Sequence, residues 1–298
     1  MPSGWFRVAN SVDVPEGSVR VCEINGQEVV AFRDRRGKAA MLDPICPHMG
    51  AHIGYGGSVV DGALRCPFHG LRFDGTGKCV GNEYPGDPEV KLSLRSWPVV
   101  EQLGCIFVHA GHDGAAPTWE LPEYDKDGWT EPVTKVLTLK GHVQEVAENA
   151  VDFGHFATVH KYSDLEDPVV RIEGPRMYSK FGFARRNPLL PISDIQSVFD
   201  TDVHGLGLSV TDLRVPKLGI GVSWEFPPPF VPKAMRRLPL PWRAATRAQV
   251  RVIHRFIISD VLQDKEIWEH RVPMDVPALI QGDGPIAKFR RWTKQFYA

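Results

Sequence analysis

The sequence lacks three features that would assign it to particular classes of protein. Its 298 residues contain no apolar run long enough to span a bilayer, and the opening MPSGWFRVAN lacks the charged-then-apolar layout of a signal peptide. An excess of charge is also missing, since 35 basic residues are balanced by 36 acidic ones. We therefore expect a cytoplasmic protein with no transmembrane segment and no nucleic-acid partner, because nucleic-acid binding needs a basic surface.

Cysteine is scarce, and its count of five is odd. In a reducing compartment, cysteines that stand in short motifs with histidines indicate metal binding rather than disulfides. Two of the five stand in such motifs. The sequence predicts that the other three, Cys22, Cys79 and Cys105, are buried as small apolar side chains.

Proline and glycine are plentiful, at 25 and 28 residues, and this content indicates many turns. Short β-branched runs fill the first third of the chain, which therefore reads as an all-β domain. A polar stretch rich in Pro and Gly follows, and it is interpreted as the junction between two domains. The predicted domains are residues 1–115 and residues 116–298.

The second domain is predicted to mix both element types, which makes the fold class α+β. KVLTLKG (135–141) reads as a strand, and the chain turns helical from about Val143. The region that follows returns to β character, and its last run is QVRVIHRFIIS (249–259). VLQDKEIWEH (261–270) and IAKFRRWTKQFY (286–297) read as helices.

Two short loops each combine one cysteine with one histidine, in the pattern C-x-H, seventeen residues, C-x-x-H. Two thiolates and two imidazoles suit either tetrahedral zinc or an iron–sulfur cluster. Zinc fingers usually group their cysteines together and their histidines together, whereas here each loop supplies one of each. The mixed supply favours a Rieske [2Fe–2S] cluster, in which one iron takes both thiolates and the other both imidazoles. The predicted cluster ligands are Cys46, His48, Cys66 and His69.

A second group of polar residues lies in ENAVDFGHFATVH, where His155 and His160 are five residues apart. On an ideal helix these positions point about 140° apart, so both can bind one metal only if the helix distorts or ends between them. Asp152 and His155, three residues apart, share a helix face. Taken alone, the pair also fits two polar residues on a packed helix. After a Rieske motif, it supplies two corners of a 2-His-1-carboxylate iron site.

Together the two motifs resemble the terminal oxygenase components of Rieske non-haem iron oxygenases, over nearly the whole chain. The loops CPHMGAHIGYGGSVVDGALRCPFHGLRFDGTGKCV and the tail GDGPIAKFRRWTKQFY are similar to those of sterol 7-desaturases and 3-ketosteroid 9α-hydroxylases. The resemblance implies a Rieske domain followed by a helix-grip catalytic domain with a central antiparallel sheet. It also implies a [2Fe–2S] Rieske cluster, a mononuclear Fe²⁺ ion and O₂ as co-substrate.

The same resemblance implies roles for four residues of the second motif. His155 and His160 correspond to the two histidines that bind the mononuclear iron. Asp152 corresponds to the acidic residue that bridges an iron histidine to a Rieske histidine of the neighbouring subunit. Asn149 corresponds to an asparagine near the open side of the iron.

A carboxylate later in the chain completes the iron site in that family. DVLQDKEIWEH offers Asp260 and Asp264, which lie four residues apart and can face the same way on a helix. The pattern resembles the Q-D-x-x-I-W stretch of steroid-acting members, which favours Asp264. Asp260 stays open as the alternative.

The implied activity is hydroxylation or desaturation of a hydrophobic polycyclic substrate, a steroid or sterol. An aromatic or other small hydrophobic substrate is the alternative, and a Rieske electron carrier or a lipid-binding module without chemistry would be rivals from other classes. GDGPIA (282–287) matches G-x-G-x-x-A only nominally, because it follows a helix and contains a proline, so nucleotide binding is rejected. A separate ferredoxin and/or NAD(P)H-dependent reductase is therefore implied. The family further implies a homotrimer.

Overall fold

The structure is a computed structural model that describes residues 2–86, 89–124, 135–186, 194–215, 220–226, 229–230 and 240–297. The chain forms two compact units, residues 1–124 and residues 125–297. The domain boundary expected after residue 115 stays a prediction.

Ten short strands make up the described part of the first unit. They are β1 (Gly4–Asn10), β2 (Val19–Ile24), β3 (Gln27–Arg33), β4 (Ala39–Leu42), β5 (Ser58–Val60), β6 (Ala63–Arg65), β7 (Arg72–Phe73), β8 (Cys79–Gly81), β9 (Val99–Gln102) and β10 (Cys105–Ala110). All pairings are antiparallel and form the sheets β1–β10–β9, β2–β3–β4 and β5–β6–β7–β8. The turns Asn25–Gly26 and Asp61–Gly62 join neighbouring strands with positive φ at all four residues, a conformation that matches the strand twist and favours Asn, Asp and Gly.

The middle of β3 is buried on both faces. Val29 of β3 belongs to one core cluster, and its neighbour Val30 belongs to another. Burial on both faces explains why this strand reads as a continuous apolar run instead of an alternating one. The second cluster also contains Cys46 and Cys66, so the core itself fixes the start of both cysteine–histidine loops. The burial predicted for the other three cysteines is confirmed.

The second unit combines one sheet with four helices among its described residues. Its strands are β11 (Val169–Glu173), β12 (Arg176–Arg186), β13 (Asp194–His204), β14 (Leu208–Val215), β15 (Ile220–Phe226) and β16 (Pro229–Phe230), and its helices are α1 (Val143–Glu148), α2 (Gly154–Thr158), α3 (Leu240–His270) and α4 (Ile286–Thr293). The strands form one antiparallel sheet in chain order. The hydroxyl of Ser179 on β12 donates to the Ala150 carbonyl at 2.8 Å, which fastens the turn after α1 to the sheet.

The predicted fold class is confirmed. An all-β unit precedes a unit with a central antiparallel sheet and few helices. The helices among the described residues include none that is long and apolar enough to cross a bilayer.

Two local predictions are wrong. KVLTLKG (135–141) forms no strand, because its backbone contacts side chains of α3: Lys140 N donates to Glu269 Oε1 at 3.0 Å, and Lys265 Nζ donates to the Thr138 carbonyl at 2.6 Å. QVRVIHRFIIS (249–259) lies inside α3 instead of forming a strand. The preference of different residue types for strands spans only about 1 kcal/mol. The tertiary contacts that side chains make further along α3, one helical turn apart, outweigh this preference.

A buried ion pair connects the helices of the second unit. Glu148, at the end of α1, is 5% exposed and accepts two hydrogen bonds from Arg290 of α4, at 2.6 and 3.0 Å. Arg271, directly after α3, lies 3.5 Å from the same carboxylate. One carboxylate therefore links the end of α1 to α4 and to the residue that follows α3.

We expect Glu148→Gln to lower the free energy of unfolding by about 2–4 kcal/mol, because it removes the carboxylate that accepts two hydrogen bonds from Arg290 in a partly buried site. Asp202→Asn is the matched control, since it breaks an ion pair with Arg176 at the surface and should cost less than about 1 kcal/mol. Urea unfolding followed by circular dichroism measures both. Equal losses in the two variants would contradict the role given to Glu148.

Candidate metal centres

Two loops of the first unit present their cysteines in the same way. In each, the cysteine carbonyl accepts a hydrogen bond from the amide of the glycine four residues later, at 2.9 Å for Cys46 and 3.1 Å for Cys66. Gly50 and Gly70 have φ of 76° and 66°, a left-handed conformation that glycine adopts at little cost. The repeated C-P-x-x-G pattern therefore produces two copies of one tight turn.

The two loops bring like side chains together. The thiols of Cys46 and Cys66 are buried and in contact, and burial raises the pKa of Cys46. The rings of His48 and His69 lie 4.6 Å apart between centroids, and His48 is exposed. A pair of thiols on the core side and a pair of imidazoles on the solvent side is the donor set of a Rieske cluster, with the thiol protons displaced on binding. The residues present fit a [2Fe–2S] cluster.

His155 and His160 face one another because α2 ends between them. The helix stops at Thr158, and Lys161 adopts a positive φ of 58°, which turns the chain directly after His160. The imidazole centroids are 5.1 Å apart. The expected break in the helix is confirmed.

A carboxylate from a distant segment meets these histidines. Asp264 Oδ1, on α3, lies 3.2 Å from His160 Nε2 and 3.9 Å from His155 Nε2. Ligand atoms of the three residues lie within 4.8 Å of one another. His155 Nδ1, His155 Nε2 and His160 Nδ1 are buried with no hydrogen-bond partner among the described residues. Buried polar atoms are nearly always paired, so the orphaned nitrogens and the mixed donor set fit a divalent metal ion.

Asn149 and Asp152 lie beside this triad of His155, His160 and Asp264. Asn149 Nδ2 donates to Asp264 Oδ2 at 3.3 Å, which leaves Oδ1 directed at the imidazoles. Asp152 Oδ1 lies 3.6 Å from His155 Nδ1, and its side chain is 35% exposed. The structure therefore brings both residues to the triad, one against the carboxylate and one against an imidazole.

Asp260 has a different environment from Asp264. Arg185 of β12 donates two hydrogen bonds to it, at 2.7 and 3.0 Å, and Tyr162 donates a third at 3.1 Å. Burial, followed by the nearby Asp260 charge, raises the pKa of Tyr162 well above its ordinary value. A carboxylate that is already paired with an arginine is a poor metal ligand. The pairing of Asp260 therefore favours Asp264 as the third ligand of the triad. Sequence reasoning missed Arg185, which lies far away in the chain and carries no motif.

A cavity of about 280 Å³ lies between α1, α2 and the sheet. Its wall is mostly apolar and includes Phe156, Phe181 and Phe199, together with Asn149. The centroid of the Phe156 ring lies 4.2 Å from the centroid of the His155 ring and 5.8 Å from that of the His160 ring. The apolar wall therefore borders the triad directly.

Two family models match successive parts of the chain. The Rieske [2Fe-2S] domain matches residues 4–98, and the 3-ketosteroid 9α-hydroxylase C-terminal domain matches residues 108–219 and 234–297. The chain belongs to the Rieske non-haem iron oxygenases. These enzymes are oxidoreductases, and the family membership predicted from the two motifs is confirmed.

Individual relatives agree with this assignment. A cholesterol 7-desaturase of Ciona intestinalis is 30% identical over 99% of this chain and 68% of its own length. A Rhodococcus rhodochrous protein named "Probable 3-ketosteroid-9-alpha-monooxygenase, oxygenase component" is 27% identical over 99% of this Rieske oxygenase and 79% of its own length. The crystal structure of dicamba monooxygenase bound to 3,6-dichlorosalicylic acid has the same fold, with a TM-score of 0.65 and 19% identity over 98% of this chain and 96% of that chain.

We expect Asp264→Asn to abolish binding of a divalent ion at the triad, because an amide is a much weaker ligand than a carboxylate. Asp260→Asn should keep that ion and lower only stability, because it weakens the Arg185 pair. Binding of Co²⁺, followed by visible absorption, measures the first effect, and thermal unfolding measures the second. Loss of Co²⁺ binding in Asp260→Asn alone would reverse the assignment of the two aspartates.

Proposed function

We propose that this Rieske oxygenase uses O₂ and external electrons to hydroxylate or desaturate a steroid or sterol. The observation that carries the proposal is the His155–His160–Asp264 triad at the edge of an apolar cavity. The two relatives described above are named for a sterol and for a ketosteroid. Such substrates are large and apolar, which suits a cavity wall built mainly from aromatic and aliphatic side chains.

Cys46, His48, Cys66 and His69 would hold the cluster, and His155, His160 and Asp264 would hold the mononuclear iron. When bound, the cluster supplies single electrons and the iron supplies the O₂ chemistry that oxidises a C–H bond. Asn149 orients the Asp264 carboxylate through the hydrogen bond to Oδ2. The phenyl rings of the cavity position the substrate and exclude water from the reacting carbon.

Electrons would come from a separate ferredoxin and/or NAD(P)H-dependent reductase, in the cytoplasm. We further propose a homotrimer in which the cluster of one subunit serves the iron of the next, with Asp152 bridging the two. Supporting this, His48 is exposed and the Asp152 side chain is 35% exposed, so both can reach a neighbouring subunit.

An aromatic or other small hydrophobic substrate is the second candidate. The cavity volume of about 280 Å³ favours it. Ligand pockets have volumes of about 300 Å³ or more, and a steroid needs a pocket larger than this lower limit. A pure electron carrier would leave the triad and the cavity without a role.

Iron analysis and oxygen uptake test the proposal together. We expect about three iron atoms per chain, two in the cluster and one at the triad. With a surrogate reductase, O₂ uptake should require a steroid or sterol. Two irons per chain would indicate an electron carrier, and uptake stimulated only by small aromatic compounds would establish the second candidate.

Replacing Asp152 with Ala should keep both metal centres loaded while turnover falls by about 10- to 100-fold or more, because the His155 imidazole loses its acidic neighbour. Asp167→Ala, at an exposed position in the loop after α2, is the matched control and should leave turnover unchanged. Iron content and steady-state O₂ uptake are measured on both variants. Unchanged turnover in Asp152→Ala would refute the bridging role.

A further inference from the structure

Three hydroxyl side chains form a row across the sheet face that lies under α1. Ser179 of β12 pairs in register with Thr201 of β13, which in turn pairs with Thr211 of β14. All three are buried, Thr201 at 6% and Thr211 at 7% exposure. Hydroxyl groups in such a site need hydrogen-bond partners, because leaving one unpaired costs free energy.

One hydroxyl of the row is bonded to the backbone, and the other two are bonded to each other. Ser179 donates to the Ala150 carbonyl and so serves the fold. Thr201 Oγ1 and Thr211 Oγ1 lie 3.0 Å apart and bond only each other among the described residues. Two hydroxyls bring two protons, and the bond between them uses one. One O–H donor and several lone pairs therefore remain available.

Both threonines line the cavity beside the metal triad. Along β13 the same sheet face carries Phe199, Thr201 and Val203, and Phe199 packs against Phe156, the ring that contacts both histidines. Thr201 is thus two residues from Phe199 along β13, roughly 7 Å between Cα atoms. Ser209 and Asn149 are the other polar side chains of the wall, and Asn149 already donates to Asp264.

We propose that the Thr201–Thr211 pair binds a single hydroxyl or carbonyl oxygen of an otherwise apolar substrate. This inference rests on the proposed function and assigns the residues that bind an oxygen atom of its steroid or sterol substrate. A hydroxyl pair can donate to a ketone and can donate to or accept from an alcohol. An oxygen-free hydrocarbon would leave the spare donor buried without a partner, so the site selects against it.

Equilibrium binding to the purified full-length holoenzyme, without reductase or turnover, tests the proposal. The probes are 5α-androstan-3-one, 5α-androstan-17-one and the parent hydrocarbon 5α-androstane, delivered from cyclodextrin. The variant is Thr201→Val/Thr211→Val, which keeps both β-branched shapes and removes both hydroxyls, so no polar atom is left unpaired. Ser197→Ala, buried on the same strand and outside the cavity wall, is the matched control. Thermal unfolding confirms that each variant is folded.

The expected result is that at least one ketone binds the native protein and Ser197→Ala about three- to tenfold more tightly than androstane. In the double variant this preference should disappear, with the affinity for androstane unchanged. A double variant that keeps the full preference would overturn the role of the threonine pair while leaving steroid binding intact. Failure of the native protein to bind any of the three probes would instead overturn the steroid assignment, and the inference with it.

Discussion

Two imidazoles five residues apart can share one metal ion only if the chain leaves the helical path between them. The end of α2 at Thr158 turns the chain out of the helical path between them, and the buried Asp264 then completes a three-ligand group with His155 and His160. The position of the cavity depends on the same turn, because Phe156 of α2 forms part of its wall and contacts both rings. A straight helix through this segment would separate the ligands and remove the boundary between the metal triad and the apolar space.

Charge pairing fixes which carboxylates are available near the triad. Asp260 and Asp264 lie one helical turn apart on α3, and Arg185 neutralises only the first. Asp264 is buried with an amide on one oxygen and imidazoles near the other, an arrangement that leaves it short of positive charge. A metal ion would supply that charge, because a buried carboxylate is otherwise costly. At the C-terminal end of α1, directly before Asn149, Glu148 is satisfied by two arginines and stabilises the fold.

The sequence carries strong information on short-range features and little on the contacts made between distant segments. The C-x-H and C-x-x-H loops predict their own turns, because proline and glycine restrict the backbone locally. The start of α1 at Val143 is also local, since the capping interactions of His142 and Glu145 lie within four residues. The helix over residues 249–259 could not be predicted in this way, because its β-branched residues favour a strand. Arg185 and the threonine pair likewise emerge only when β12, β13 and β14 are placed in register.

The two candidate centres require opposite surroundings, and the chain provides them by different means. A cluster that exchanges electrons with other proteins needs an exposed edge, and His48 is exposed while the cysteines beneath it belong to the core. A centre that oxidises a C–H bond needs water excluded, and His160 and Asp264 are buried, with the phenyl ring of Phe156 beside His160. Small antiparallel sheets with tight turns suit the first requirement, because loop tips project from a rigid core. A long sheet covered by helices suits the second, because it encloses a cavity whose few polar groups can be placed by strand register.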